Sequence, residues 1–224
     1  MLTSSFEASG FAVIPDVVTD PICGTITAAV VKHTNAGSHA RMLLSEPWCR
    51  ELAAALRSHP GLAGVVTPSS VAVQCTLFEK SPQKNWLVAL HQDLSIPVKE
   101  RVHDDTLSGW SIKDGTLFVQ PPASVLETLV AVRLQLDDGG PATGALRVVP
   151  GSHRFGRLDT SRASALRDEF GEMTPAVERG GVLAMRPLLL HASSKATIPS
   201  SRRVLHFVFG PQSLPAGLAW ASVV

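Results

Sequence analysis

The sequence predicts an α+β fold, mainly β, in which helices come first and an antiparallel barrel or jelly roll follows. Three observations point there. Apolar residues keep helical spacing up to about residue 60, and from about residue 70 the period shortens to two in a series of short runs. Turn signals separate the later runs: Asp138-Gly139-Gly140-Pro141, Pro150-Gly151-Ser152 and Arg179-Gly180-Gly181. The 224 residues, 45% hydrophobic and 17% charged, are too apolar for a disordered chain and suffice for one larger domain over residues 1–224.

The elements follow in order. Phe11 to Pro15 is a β-rich opening strand. Asp20-Pro21 supplies an N-cap and a first-turn proline, and Ile22, Ile26, Ala29 and Val30 continue at helical spacing. A second helix fits Glu46 to Ser58, with Leu52 and Leu56 on its apolar side, and stops at Pro60-Gly61. The helical part thus covers about 16–60. A jelly-roll core covers about 70–210, with strands expected at Val71–Phe78, Trp86–Leu94, Val125–Leu136, Ala145–Val149, Gly180–Leu190 and Arg202–Phe209. Along the first, Ala72, Gln74, Thr76 and Phe78 share a face. Pro97 to Pro122 is long, polar and poorly periodic, so about 97–122 reads as a lid-like loop.

Composition narrows the function. Lys+Arg 20 against Asp+Glu 19 gives a net charge of +1, without the basic surplus of a nucleic-acid or anionic-membrane binder. The longest unbroken apolar runs, Leu52 to Leu56 and Trp86 to Leu90, are far short of the roughly 20 residues of a membrane helix. The first ten residues, MLTSSFEASG, lack the basic and apolar regions of a secretory signal. Cys23, Cys49 and Cys75 form no CxxC pair and read as reduced thiols, so a cytoplasmic protein with a small-molecule partner is expected, its oligomeric state open.

The chemistry lies in Leu90-His91-Gln92-Asp93. On a strand, His91 and Asp93 project from one face and can share a metal ion, while Gln92 points away. An HxD pair alone recurs by chance. A second imidazole, His191, closes the mainly apolar stretch Val182 to Leu190 and shares its parity with Leu189 and Ser193. Arg202 follows eleven residues later and opens a strand. Two imidazoles and a carboxylate make the facial set of non-haem Fe(II) oxygenases, and a buried arginine offers a planar clamp for a distal carboxylate.

These residues resemble the phytanoyl-CoA dioxygenase family of Fe(II)/2-oxoglutarate-dependent oxygenases, short bacterial type. The resemblance rests on HxD at His91 and Asp93, on His191-Ala192-Ser193-Ser194, and on Arg202 at +11. The segment from Gly144 to His153, ending Pro150-Gly151-Ser152-His153, and the opening Gly10 to Pro15 also match, so it runs from residue 10 to about 210. It implies a double-stranded β-helix, cupin-like core with flanking N-terminal helices. It implies that His91, Asp93 and His191 hold Fe(II), that Arg202 and Ser193 bind the C5 carboxylate of the 2-oxoglutarate co-substrate, and that O2 is consumed. The reaction implied is hydroxylation of a small organic molecule, an amino-acid derivative or secondary-metabolite intermediate, and the Asp93 ligand sets the chain apart from halogenases.

Other side chains are graded against these. Gln74 and Thr76 are candidate co-substrate contacts. Trp86, Trp110, Lys113, Gln120 and Arg133 are candidate substrate contacts, with Lys80 and Lys84 beside them. Arg133, central in an apolar strand, needs an anionic partner, which could be Asp137, a neighbouring carboxylate or the substrate. Arg203 faces away from Arg202, and His206 shares Arg202's parity and reads as packed and hydrogen-bonded. His153 reads as structural or rim-exposed, and His33, His39, His59 and His103 as surface. Two rivals use the same triad: a non-catalytic cupin-like module that binds metal or metabolite, and a zinc hydrolase. A serine hydrolase lacks its GxSxG turn.

Overall fold

A computed structural model describes residues 2–35, 41 and 43–224; His39 lies outside them. Helix α1 (Leu2–Ser9), strand β1 (Phe11–Ile14) and helices α2 (Asp20–Asn35) and α3 (Pro47–Ser58) precede the main run of strands. Helix α3 falls where the Glu46 to Ser58 helix was expected, with Glu46 at the N-cap and Pro47 in the first turn. The buried side of α2 is Cys23, Ile26 and Val30, whereas Ile22, expected on it, points to solvent. Spacings of three and four residues from Ile26 select Cys23 and Val30 equally well, and the helix settles on that pair.

Strands β2 (Val71–Lys80), β7 (Val130–Gln135), β9 (Val182–Met185) and β11 (Arg202–Gly210) join β1 in a five-stranded antiparallel sheet of order β1-β9-β7-β11-β2. A smaller sheet, β3-β10-β8, is made of Val88–His91, His191–Ser193 and Leu146–Val148. One face of the large sheet, with Cys75, Leu77, Val132, Leu134, Leu205 and Phe207, packs on Phe6, Ile26, Val30, Leu52 and Leu56 of the helices. On the other side Ala131, Leu183 and Met185 meet Leu146 and Val148 of the small sheet. This is a jelly-roll core between two sheets with helices outside it.

The segment read as a lid is not a loop. Strands β4 (Ile96–Val98), β5 (Ser108–Lys113) and β6 (Thr116–Gln120) form a third antiparallel sheet, order β4-β6-β5. Ile96, Val98, Leu107 and Val119 anchor it in a second core with Leu126, Leu129 and Trp220. A register shift between Ser108 and Ser111, and Pro97 inside β4, blur the alternation that would have revealed it. The Trp86–Leu94 strand shrinks to Val88–His91, and the Val125–Leu136 strand gives its first residues to helix α4 (Ala123–Leu126). Helix α5 (Thr160–Phe170), capped by Asp159, completes the list.

A register shift in β2 also corrects the face read from parity. Val208 pairs with Gln74 but Phe209 pairs with Ala72, so Val73 is the extra residue of a bulge. Ala72 therefore joins Cys75 and Leu77 against the helices, while Gln74, Thr76 and Phe78 keep the barrel side.

Gly180 fixes the turn into β9. It sits at φ +81°, and a Cβ there would meet the Val18 carbonyl oxygen at 2.1 Å. Its own carbonyl accepts from Val18 N–H and its N–H donates to Gln135 O, so neither side can give way freely. Gly180→Ala is expected to lower stability by about 3 kcal/mol, combining left-handed backbone strain with overpacking. A denaturant midpoint unchanged within error would contradict this.

Candidate active site

Sheet register brings the site together. On the small sheet His91 of β3 lies directly opposite His191 of β10, and their ring centroids are 4.1 Å apart. Asp93 follows β3 and is tied by its N–H to Pro187 O. His91 Nε2 lies 3.9 Å from Asp93 Oδ1, and His191 Nε2 lies 3.7 Å from Oδ2. One ligand atom from each of the three residues falls within 4.8 Å of the others.

Each imidazole is set up to ligate. His91 Nδ1 lies 2.8 Å from Ala89 O and His191 Nδ1 lies 2.8 Å from Leu189 O. A carbonyl only accepts, so each Nδ1 carries the proton and each Nε2 presents a lone pair. Burial pushes the His191 ring down to about 4, outweighing Asp93, so it is neutral at physiological pH. For Asp93 burial works upward, but His191, His206, His91 and Arg133 together hold the carboxyl below its ordinary range. Neutral imidazole nitrogens and an ionised carboxylate are the ligating forms, and this mixed set fits Fe(II).

Residues between and before the three candidate ligands hold them in place. Gln92 does point away, and its buried amide spends both ends on the backbone around Gly156 to Leu158 and at Leu188. Its Nε2 donates to Leu188 O (2.7 Å) and Gly156 O (2.8 Å), and its Oε1 accepts from Leu158 N–H (2.9 Å). The turn after Pro150 has a similar role: Ser152 Oγ accepts from Leu190 N–H at 2.9 Å, immediately before His191. His153 Nε2 reaches Glu7 O at 3.1 Å and packs against Gly10, a structural contact as expected.

Two cavities meet at Asp93 and His91. The first, of about 480 Å³, is lined by Lys80, Trp86, Arg133, His191, Ser193 and Arg202 among others. Arg202 enters it from β11 and is 4% exposed; its Nε has no hydrogen-bond partner, and among the described residues no carboxylate pairs with it. Arg203 faces outward, donating to Asp137 at 2.6 and 2.8 Å. Lys80 lies opposite Arg202 in the sheet and is also buried. Its Nζ donates to Ser193 Oγ at 3.0 Å and to Ser194 O, and burial, Arg202 and Arg147 pull it down to about 8. This buried cation next to Arg202 is more central than its place among the substrate candidates suggested. Its parity along β2 was the signal, extending the Gln74, Thr76 and Phe78 face to residue 80.

The second cavity, of about 830 Å³, is lined by Gln74, Thr76, Lys113, Gln120, Phe118 and His206 among others. Gln74 and Thr76 were expected beside Arg202. The register places them beyond Asp93 in this second cavity, where Gln74 Nε2 donates to Thr76 Oγ1 at 3.0 Å. Lys113 and Gln120 reach it from β5 and β6, and Gln120 Oε1 accepts from Arg157 at 2.5 Å. Trp110 lines neither cavity; it packs in the β4–β6 core with Arg101 over its ring at 4.8 Å. Lys84 is on the surface, 3.9 Å from Glu79.

Arg133 does not pair with Asp137. It lies opposite His206 in the sheet, its Nη1 is 2.8 Å from His206 Nδ1, and its guanidinium covers the Phe78 ring at 5.3 Å. Burial and Arg202 lower it to about 10, against the pull of Asp93. His206 is packed and hydrogen-bonded as read, and burial with Arg133 holds it down to about 3, uncharged. His103 is exposed and His59 Nδ1 accepts from Gly61 N–H. His33, read as surface, has a side chain only 7% exposed, 3.3 Å from Glu46.

The sequence profile described as phytanoyl-CoA dioxygenase (PhyH) matches residues 6–204. No curated protein matches. Among solved structures the chain is similar to the epimerase SnoN in complex with Fe3+, alpha ketoglutarate and nogalamycin RO. That likeness has 13% identity and a TM-score of 0.71, covering 96% of this chain and 90% of SnoN. Apo HygX from Streptomyces hygroscopicus gives 20% identity and TM-score 0.65, covering 99% and 96% of the two chains. EctD from S. alaskensis gives 17% and 0.69, covering 93% and 75%. At such identities these likenesses speak for the fold. Among the described residues no helix is long and apolar enough to cross a membrane.

Proposed function

Since the chain belongs to the phytanoyl-CoA dioxygenase family, we propose that it hydroxylates a C–H bond of a small organic molecule at a centre held by His91, Asp93 and His191. It is an enzyme of the Fe(II)- and 2-oxoglutarate-dependent dioxygenase type. One observation carries the residue assignment: three side chains able to ligate converge within 4.8 Å beside a buried guanidinium that has no carboxylate partner among the described residues.

The bound Fe(II) supplies the chemistry with O2, while 2-oxoglutarate is split to succinate and CO2. The protein's part is placement. Arg202 and Ser193 receive the distal carboxylate of the co-substrate, and Lys80 adds a second positive charge at that end. Trp86 and Phe78 wall the same cavity and limit water. The substrate occupies the second cavity, its reacting carbon near Asp93 and His91. Gln74, Thr76 and Gln120 there offer hydrogen bonds and Lys113 a cation, which supports a polar substrate such as an amino-acid derivative or a secondary-metabolite intermediate.

The test is succinate release from 2-oxoglutarate with Fe(II) and ascorbate, alongside mass analysis of a substrate panel. Hydroxylation adds one oxygen atom, whereas an epimerase would release succinate without a mass change. Activity that persists without oxygen would overturn the proposal.

A further inference from the structure

Three imidazoles surround the Asp93 carboxylate, and their Nδ1 partners sort them into two kinds. His91 and His191 face carbonyl oxygens through Nδ1, so their Nε2 atoms are lone pairs. His206 faces the guanidinium of Arg133 through Nδ1 at 2.8 Å. A guanidinium only donates and keeps its protons, so Nδ1 of His206 must accept and the ring proton must sit on Nε2. That Nε2 lies 3.9 Å from Asp93 Oδ2. A protonated nitrogen cannot ligate a metal, but it can donate to a carboxylate that does.

The backbone sets this up by register. Thr76, His206 and Arg133 lie side by side across β2, β11 and β7, all on the barrel side. Among the described residues no side chain hydrogen-bonds to the Asp93 carboxylate, and of the three imidazoles around it His206 alone presents an N–H, 3.9 Å from Oδ2. A ligating carboxylate with one oxygen on a metal needs its other oxygen held, because an unheld carboxylate rotates and its ligand atom wanders.

We infer that His206 is a positioning residue for the metal centre: its Nε2–H, fixed in that tautomer by Arg133, holds the second oxygen of Asp93 and orients the first toward Fe(II). Arg133 lines the first cavity and His206 the second, so the pair forms a buried strut running between co-substrate and substrate sides. The inference rests on the proposed triad.

The experiment is calorimetric titration of the metal-free protein with Mn(II), together with the melting temperature of the metal-free form. His206→Phe keeps a ring and removes the donor; binding is expected to weaken about 10- to 100-fold, the usual effect of losing such a support. His206→Gln restores an N–H donor, and most of the affinity should return. A structural role alone would lower the melting temperature of both variants and would not separate them in affinity. His206→Phe within threefold of wild type, or His206→Gln as weak as His206→Phe, would overturn the inference. If His206→Phe does not fold, Arg133→Met keeps the imidazole but frees its tautomer, and affinity unchanged within threefold would overturn it equally. A wild-type protein that takes up no Mn(II) would instead refute the triad itself.

Discussion

Asp93→Ala is expected to abolish metal-dependent succinate formation while the protein still folds. The carboxylate is the single anionic donor of the set, and the two imidazoles left behind form a neutral, two-point site that holds a divalent ion much more weakly. Loss of Mn(II) affinity should exceed the roughly 100-fold upper end for a supporting residue, because a ligand itself is removed. The fold should survive because Asp93 belongs to none of the apolar cores, its side chain remains 37% exposed, and the register of β3 with β10 rests on backbone pairing. Some stability is lost, since the folded state holds the Asp93 carboxyl below its ordinary range and Arg133 stays charged beside it. Each kcal/mol should appear as a drop of about 2–4 °C in a chain of this size. A variant that retains activity, or that binds Mn(II) like the wild type, would remove Asp93 from the centre.

How much of this was legible beforehand depended on how local the signal was. His91 and Asp93 could be paired because strand parity puts them on one face, and His191 and Arg202 were added through their spacing and the family resemblance; the structure brings all four around one pair of cavities. Arg203 was separated from Arg202 by the same rule, and its salt bridge to Asp137 follows from facing outward. What failed was information outside a single strand. One bulged residue, Val73, moved Ala72 to the opposite face, and no local pattern announces a bulge. Gln74 and Thr76 kept the right face, but only the pairing with β11 shows that they lie on the far side of Asp93 from Arg202. The β4–β6 sheet escaped because its strands are three to six residues long and interrupted by Pro97 and a register shift. Arg133 shows the limit most plainly. Its burial implied a partner, and the nearest acid in sequence was the natural choice. The cross-strand neighbour His206, 73 positions away, took the contact instead.

Arg202→Ala should act chiefly on the co-substrate. A charge-assisted two-pronged contact contributes on the order of 2–3 kcal/mol, so the KM for 2-oxoglutarate should rise about 30- to 150-fold with a smaller change in kcat. Lys80 sets where in that range the result falls. Burial first, then repulsion from Arg202 and Arg147, depress the Lys80 ammonium, and removing Arg202 relieves its share of the repulsion. The remaining cation, still held by Ser193 Oγ at 3.0 Å, can take up part of the carboxylate's charge. The single variant should therefore fall toward the lower end. Combining Arg202→Ala with Lys80→Met should cost more than the two single losses added together, as expected for residues that cover for each other. Arg203→Ala is the control: it breaks the ion pair with Asp137 and should lower stability while leaving the KM for 2-oxoglutarate within about twofold of wild type. If Arg203→Ala raised that KM and Arg202→Ala did not, the clamp would be on the other face of β11, and the cavity described here would not be the co-substrate's.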